Sequence, residues 1–318
     1  MNKLIRKLLC ILFLSIGIIS ILATLSTVPA LSSIMNMLTN SGNYQDMGSV
    51  ETLALFHKSQ SSNTTHKLIL GDSVANQIYE YRDNEEYSVL TGNYAMTFMW
   101  QYIFAKNYLE ANPQTTDVYL CTIADGFEQS FDTSLSYSYV VIPLAKSNNL
   151  EVLDEKHHKM LTDIFGSVFI NKKAASFIGN SGLNSKLYLN AIKSFYETFP
   201  TQKDKVEKTN NRDFSLAETY ILKINELCKE KNINFHLLPN PKKDTPEIRE
   251  YVKQLETKYR QSPLYSINPD YFEQIIFYPE DLFKDEFHFK DEYLEKEFKF
   301  QIIRKIQDAT DELQNLIE

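Results

Sequence analysis

Short apolar runs closed by turn residues alternate along this chain with longer stretches whose apolar residues recur at helical spacing. The first run, His66-Lys67-Leu68-Ile69-Leu70, ends in Gly71-Asp72-Ser73 and passes into Val74-Ala75-Asn76-Gln77-Ile78-Tyr79. That pattern predicts a strand, a tight turn and the start of a helix. Tyr87 to Leu90 predicts a second strand, closed by Thr91-Gly92-Asn93, and helical spacing then runs from Tyr94 to Asn112 and stops at Pro113. Asp117 to Ile123 predicts a third strand. Further on, a helix is expected from Phe214 to Lys231 and a strand from Asn234 to Leu238, ended by Pro239-Asn240-Pro241. Another helix is expected over about 246–261, and a long amphipathic helix from about Glu292. Strands alternating with helices predict an α/β fold, a parallel sheet with helices on both faces.

Two segments break the alternation. Residues 31–63 are rich in Ser, Asn, Thr, Gly and Met and read as a stalk, with one short helix around Val50 to Lys58. Residues 124–212 are irregular and aromatic-rich, and read as a cap inserted into an α/β domain spanning 64–318. The aromatics Tyr137, Tyr139 and Phe165 offer either stacking faces for sugar rings or ordinary core.

The N-terminus carries a different pattern. Lys3, Arg6 and Lys7 precede an apolar stretch from Leu8 to Leu25, broken only by Ser15, Gly17, Ser20 and Thr24. No further Lys or Arg appears until Lys58. Residues 1–30 are therefore expected to be a membrane anchor, one transmembrane helix with its N-terminus in the cytoplasm and the remaining chain outside. The alternative is a cleaved signal peptide, since Val28-Pro29-Ala30 has small residues where a peptidase cuts, and the protein is then secreted. On either reading the working part lies outside the cytoplasmic membrane.

Composition narrows the function classes. The chain has 318 residues, 43% hydrophobic and 23% charged, with net charge −8. Residues 1–30 hold three positive charges and no negative one, so the exported part carries −11. That balance provides no basic footprint for nucleic acid, and attachment to an anionic membrane depends on the anchor or a protein partner. The three cysteines, Cys10, Cys121 and Cys228, form neither a disulfide framework nor a zinc pair. No Walker or dinucleotide glycine motif is present, and neither a cofactor nor a metal is expected.

The candidate chemistry sits at the first turn and the last. In an open parallel sheet, ligands bind outside the carboxyl ends of the strands, and Ser73 falls at that edge, where a helix begins. Helix N–H groups can there stabilise an oxyanion, and a sharp turn exposes the hydroxyl. The competing role for Ser73 is an ordinary N-cap, with Asp72 assisting. A nucleophilic serine needs a base, and His288 is the best candidate, with Asp285 three residues earlier to orient its imidazole. His236, in a strand, is the rival base, and Asp281 stands in reserve for Asp285. His57 and His66 read as solvated, and His157-His158 as the surface of a polar helix. Asn63-Thr64-Thr65 fits a glycosylation acceptor.

This order of blocks resembles the SGNH/GDSL hydrolase superfamily. Gly71-Asp72-Ser73 resembles its first block, Val89 to Met96 leading into a long helix its second, and Asp285-Glu286-Phe287-His288 its last. The resemblance implies a three-layer sandwich around a central parallel sheet, SGNH-like and flavodoxin-like. It also implies Ser73 as nucleophile, His288 as base, Asp285 as orienting acid, and Gly92 and Asn93 at the oxyanion hole. One block departs from the pattern. Where the family places Gly-x-Asn-Asp after the third strand, this chain reads Thr122-Ile123-Ala124-Asp125-Gly126, so Asn93 or Asp125 has to replace the missing asparagine.

With the N-terminal anchor, the chain is most similar to exported acyl-transfer branches that work with membrane-bound O-acyltransferases. Those branches modify alginate, other exopolysaccharides or teichoic acids. The implied activity is serine-dependent acyl transfer to a cell-surface glycan or teichoic-acid acceptor, acetyl first and D-alanyl second. A carbohydrate or lipid esterase with the same triad is the alternative. A non-catalytic protein that docks a glycan or partner is the reading from another class.

Overall fold

A computed structural model describes residues 47–93, 96–131, 136–147, 149–165 and 214–317, with four isolated positions near the N-terminus. Those four apart, the expected anchor or signal segment (1–30), residues 31–46 of the stalk and the cap beyond Phe165 lie outside the described residues. Among the described residues no helix is long and apolar enough to cross a membrane. The chain divides into two compact units, residues 1–50 with 133–210 and residues 51–132 with 211–318.

In chain order the helices and strands begin with α1 (Met47–Ser59), β1 (Lys67–Gly71), α2 (Ser73–Tyr79), β2 (Tyr87–Thr91), α3 (Thr97–Ala111) and β3 (Asp117–Thr122). Then follow α4 (Ile142–Ser147), α5 (Glu155–Phe165), α6 (Ser215–Glu230) and β4 (Asn234–Pro239). The last are β5 (Lys242–Lys243), α7 (Pro246–Tyr259), β6 (Phe277–Tyr278) and α8 (Lys296–Ile317). Strands β1 to β4 form one parallel sheet in the order β2-β1-β3-β4, and β5 pairs with β6 in a second. The fold is therefore α/β around a central parallel sheet, as the alternation predicts.

Burial explains the strand sequences. Only the first residue of β1 is partly exposed, and β2 is buried throughout, which a parallel sheet covered on both faces requires. On one face Ile69, Val89 and Cys121 pack with Ile78 of α2 and Ile302 and Ile306 of α8. Leu68, Leu70, Leu90 and Leu120 point the other way by strand alternation and are fully buried. That side carries α3 packed against α6, with Trp100, Phe104 and Tyr220 fully buried. Each fully buried aliphatic or aromatic side chain of this kind contributes about 1.5–3 kcal/mol.

The strand order reverses between β1 and β3, and such a switch point is where an open parallel sheet binds ligands. Gly71, Thr91, Thr122 and Pro239 mark the carboxyl edge there. A Cβ on Gly71 would lie 2.4 Å from Ala75 Cβ and 2.5 Å from the Cys121 carbonyl oxygen. Only glycine lets β1 turn into α2 so close to β3.

Part of the expected stalk belongs to this unit. Thr52, Phe56 and Ser59 of α1 are buried, and the Phe56 ring meets Trp100 edge-on at 6.2 Å. Lys58 Nζ donates to the Val89 carbonyl at 2.8 Å and pairs with Asp83. Small polar residues suggest a linker in sequence, but here they flank an apolar contact with α3. The unit also keeps Ala124–Glu128 as a 3-10 turn after β3, with Phe127 fully buried, so the first residues assigned to the cap are core.

The other unit holds α4 and α5. Leu153, His157 and Leu161 recur every fourth residue, and all three are buried. His157 is thus not the surface residue that its polar neighbours suggest, whereas His158 is exposed. The His157 Nδ1 lies 2.8 Å from Asp154 Oδ1. Tyr139 is buried, and a Cβ on Gly48 would meet its ring at 2.7 Å, so it is packed rather than presented as a stacking face. The side chains of Tyr137 and Phe165 lie outside the described residues.

Candidate active site

The turn between β1 and α2 is fixed by Asp72. Its Oδ1 accepts from the N–H groups of Val74 and Ala75 at 3.0 and 3.1 Å and from Asn240 Nδ2 at 2.9 Å. Its Oδ2 accepts from the Ile123 N–H at 2.8 Å and the Thr122 hydroxyl at 3.2 Å. One carboxylate thereby ties the ends of β1, β3 and β4 together and acts as the N-cap of α2. Burial pushes the Asp72 carboxyl above its ordinary range, against the pull of the N–H groups of Ile123, Ala75 and Val74. The N-cap role considered for Ser73 belongs to Asp72, and Ser73, as the first helical residue, is left partly exposed at the sheet edge.

The last block is a built loop. Phe283 and Phe289 pair across it as an antiparallel bridge, their rings stacked at 4.4 Å, and both are buried in the core beside α2 and α8. Lys284 N–H donates to the His288 carbonyl and Lys290 N–H to that of Leu282, each at 2.9 Å. Between the clamps, Asp285 Oδ1 accepts from the N–H groups of Phe287 and His288, both at 2.8 Å. Phe289 N–H reaches Gln77 Oε1 of α2 at 3.2 Å, joining the loop to the helix that carries Ser73.

These two elements bring the three expected residues into line. His288 Nδ1 lies 2.9 Å from Asp285 Oδ2 and 3.0 Å from Oδ1, and His288 Nε2 lies 2.8 Å from Ser73 Oγ. The carboxylate assigns the imidazole proton to Nδ1, so that Nε2 accepts from the serine hydroxyl. Partial burial acts to raise the Asp285 carboxyl, but the N–H groups of His288 and Phe287 and the imidazole outweigh it and hold the carboxyl below its ordinary range. A serine whose proton can pass to an oriented imidazole is equipped for attack on an acyl carbon.

The oxyanion side is arranged differently. Gly92 N–H donates to the Gly71 carbonyl at 3.2 Å, and Asn93 N–H to Glu51 Oε1 at 2.8 Å. A Cβ on Gly92 would fall 1.9 Å from Met96 Cε and 2.8 Å from Leu55 Cδ1, so this glycine is where α1 and the start of α3 meet β2. Asp125 accepts from Lys242 Nζ at 2.6 Å, an ammonium only 1% exposed that also lies 4.8 Å from the Phe287 ring centre. The Gly92 and Asn93 N–H groups thus serve the fold in this structure, and Asp125 is paired with a lysine.

The remaining candidates lie elsewhere. His236 Nε2 meets Asp117 Oδ1 at 3.1 Å, and its ring stacks on Tyr119 at 4.6 Å. Asp117 opens β3, which puts His236 toward the edge opposite Ser73. Asp281 sits in the exposed 3-10 turn Glu280–Leu282. His57 and His66 are exposed, His66 with its Nδ1 2.8 Å from the Gln114 carbonyl. Asn63 is exposed; its Oδ1 accepts from the Thr65 N–H and the Tyr108 hydroxyl, and its Nδ2 donates to Ser88 Oγ. Among the described residues, no cluster of three His, Cys, Asp or Glu side chains could hold a metal ion.

Sequence reasoning missed Asn240, Lys242, Glu51 and Gln101, whose Nε2 donates to the Gly71 carbonyl at 2.9 Å. The first two follow β4 at the carboxyl edge of the sheet, which was the signal available for them. Comparison with known proteins finds no matching family model, no matching curated protein and no matching solved structure.

Proposed function

We propose that this protein is a serine-dependent acyltransferase of the cell envelope. The observation that carries the reading is the hydrogen-bonded series Ser73–His288–Asp285, assembled from residues 215 positions apart at the switch point of the sheet. Ser73 Oγ attacks the carbonyl carbon of an acyl donor while His288 Nε2 takes its proton. The donor's leaving group departs with that proton, and an acyl-serine remains. An acceptor hydroxyl, deprotonated by His288, then takes the acyl group and restores Ser73. With water as acceptor the same steps describe an esterase. No step calls on a cofactor.

The three-layer SGNH-like sandwich suggested by the sequence blocks is consistent with the β2-β1-β3-β4 order and with helices on both faces of the sheet. On that resemblance the acceptor is a cell-surface polysaccharide or teichoic acid, the acyl group acetyl or D-alanyl, and the partner a membrane-bound O-acyltransferase. Residues 1–30 hold the domain outside the membrane or direct its secretion. One observation favours the second reading, a docking protein without catalysis: Gly92 and Asn93 N–H already donate to Gly71 and Glu51.

The two readings part in a single experiment. The full chain in detergent is treated with a fluorophosphonate probe and with p-nitrophenyl acetate, beside Ser73→Ala and His288→Ala. The enzyme reading expects labelling and turnover in the wild type and neither in folded Ser73→Ala. A folded wild type that neither labels nor turns over ester supports the docking protein instead.

A further inference from the structure

Beside the nucleophile turn, where β1 ends at Gly71, lies a cavity of about 20 Å³ bordered by Asp72, Asn93, Thr97, Gln101 and Gln129. That volume accommodates one group the size of a water molecule. Two of its walls are polar, buried and unpaired. Thr97 is 4% exposed and Gln101 5%, and neither Thr97 Oγ1 nor Gln101 Oε1 has a hydrogen-bond partner among the described residues. The Gln101 amide is oriented by its other end, since Nε2 donates to the Gly71 carbonyl at 2.9 Å. Oε1 therefore presents an acceptor.

Thr97 carries a second cost. Its φ is 65°, in the left-handed region that a β-branched residue rarely adopts. Strain of this kind persists where surrounding structure enforces it, and it collects at binding and catalytic sites. A strained backbone and a buried, unpaired hydroxyl at one residue bring nothing to the folded protein alone. Both gain a purpose if the hydroxyl has a ligand to meet.

We propose that this cavity is a subsite for a hydroxyl or ammonium group borne by the acyl part of the substrate, which narrows the acyl-transfer reading away from acetyl, since acetyl carries neither group. Gln101 Oε1 accepts a hydrogen bond from that group, and the Thr97 hydroxyl either donates to it or accepts a second bond from it. A methyl group would leave both atoms unpaired, and a carbonyl oxygen would leave Gln101 unpaired. A site built to bond a polar substituent rejects the analogue that lacks it far more strongly than an apolar pocket does. The proposal rests on the acyl-transfer reading for the ligand's position, because Asp72, which borders the cavity, directly precedes Ser73.

The test uses the full chain in detergent with p-nitrophenyl glycolate, glycinate and propionate. The first and last differ by a hydroxyl against a methyl at the same position. The expected kcat/KM for glycolate or glycinate exceeds that for propionate at least tenfold, and whichever is preferred identifies hydroxyl or ammonium. Thr97→Gly relieves the strain and removes the hydroxyl, so it is expected to raise Tm while the ratio falls toward one. Thr97→Ser is expected to restore the ratio.

Ligand-observed NMR on Ser73→Ala, with glycolamide against propionamide, reads the subsite without turnover. Ester turnover without discrimination, or a ratio unchanged in Thr97→Gly, overturns the subsite, assigns the cavity to a buried water and leaves the acyl-transfer reading intact. Glycolamide binding that Thr97→Gly abolishes, in a wild type without turnover, upholds the subsite and overturns acyl transfer. Neither turnover nor selective binding overturns both.

Discussion

On the His288 side of Ser73, local hydrogen bonds converge on the hydroxyl–imidazole pair; on the Gly92 side, they lead away from it. Asp285 receives two backbone N–H groups and the imidazole within a four-residue turn, and the Phe283–Phe289 pair holds that turn in the core. Gly92 and Asn93 instead give their N–H groups to Gly71 and Glu51, and Asp125 is held by Lys242. The Ser73–His288–Asp285 series is therefore set by the folded chain. On the acyl-transfer reading, a developing oxyanion would be met by N–H groups released from those bonds or by Ser73's own N–H, which Asp72 does not use. On the same reading, a site arranged for proton transfer but with these N–H groups occupied would act only once an acceptor or partner is in place.

Asp285→Asn attacks the base side most directly. The amide keeps the shape but no longer fixes the imidazole proton on Nδ1, so turnover is expected to fall by about 10²–10⁴-fold. Tm should fall only slightly, because the amide oxygen still accepts from the Phe287 and His288 N–H groups and only the charge is lost. Ester kinetics beside thermal melts check both halves, and unchanged turnover would mean that His288 works without this carboxylate.

Phe289→Ala removes a fully buried ring from the clamp and is expected to cost about 3–5 kcal/mol. Activity should drop further than the folded fraction does, since the loop that aims His288 loses its anchor. Urea melts together with active-site titration separate the two effects. A variant as stable as wild type would show that the loop is held from elsewhere.

The contrast also marks what sequence reading reaches. The strands were legible because apolar runs closed by Gly71, Gly92 and Pro239 leave few alternatives. Ser73, Asp285 and His288 were legible because their turns bound strands and helices whose order is itself readable. The bonds that occupy Gly92 and Asn93 were not, since Glu51 lies in a stretch that looks like linker. Asp72 looked like an assistant to Ser73, yet its partners come from residues as far away as Asn240. Nor does a sequence pattern announce the positive φ of Thr97, which tertiary packing imposes.

Gly92→Ala sharpens the oxyanion half. The added methyl meets Met96, Leu55 and Glu51, and overpacking of this kind costs about 1–3 kcal/mol. If Gly92 serves packing alone, turnover per folded molecule stays within a few-fold of wild type while Tm falls. A hundredfold loss in well-folded protein would show that its N–H leaves Gly71 to join the oxyanion hole during reaction.

The smallest expected effect separates the two aspartates beside the Ser73–His288 pair, because their carboxyls are shifted in opposite directions. Asp285 is held below the ordinary carboxylate value of about 3.9. Its contribution to folding is present above that value and is lost only as pH falls through the lowered one. Asp72 is pushed up by burial, so the folded state takes up a proton before the unfolded chain does. Its contribution is full below about 3.9 and declines as pH rises through the raised value. Acidification from neutrality should therefore first raise the stability share of the β1–α2 turn, while the His288 loop stays assembled. Hydrogen exchange of the Val74 and Ala75 amides against those of Phe287 and His288, followed down in pH, reads the two separately. Protection at Val74 that weakens before protection at His288 would reverse the order and place the more vulnerable charge beside the nucleophile rather than beside the base.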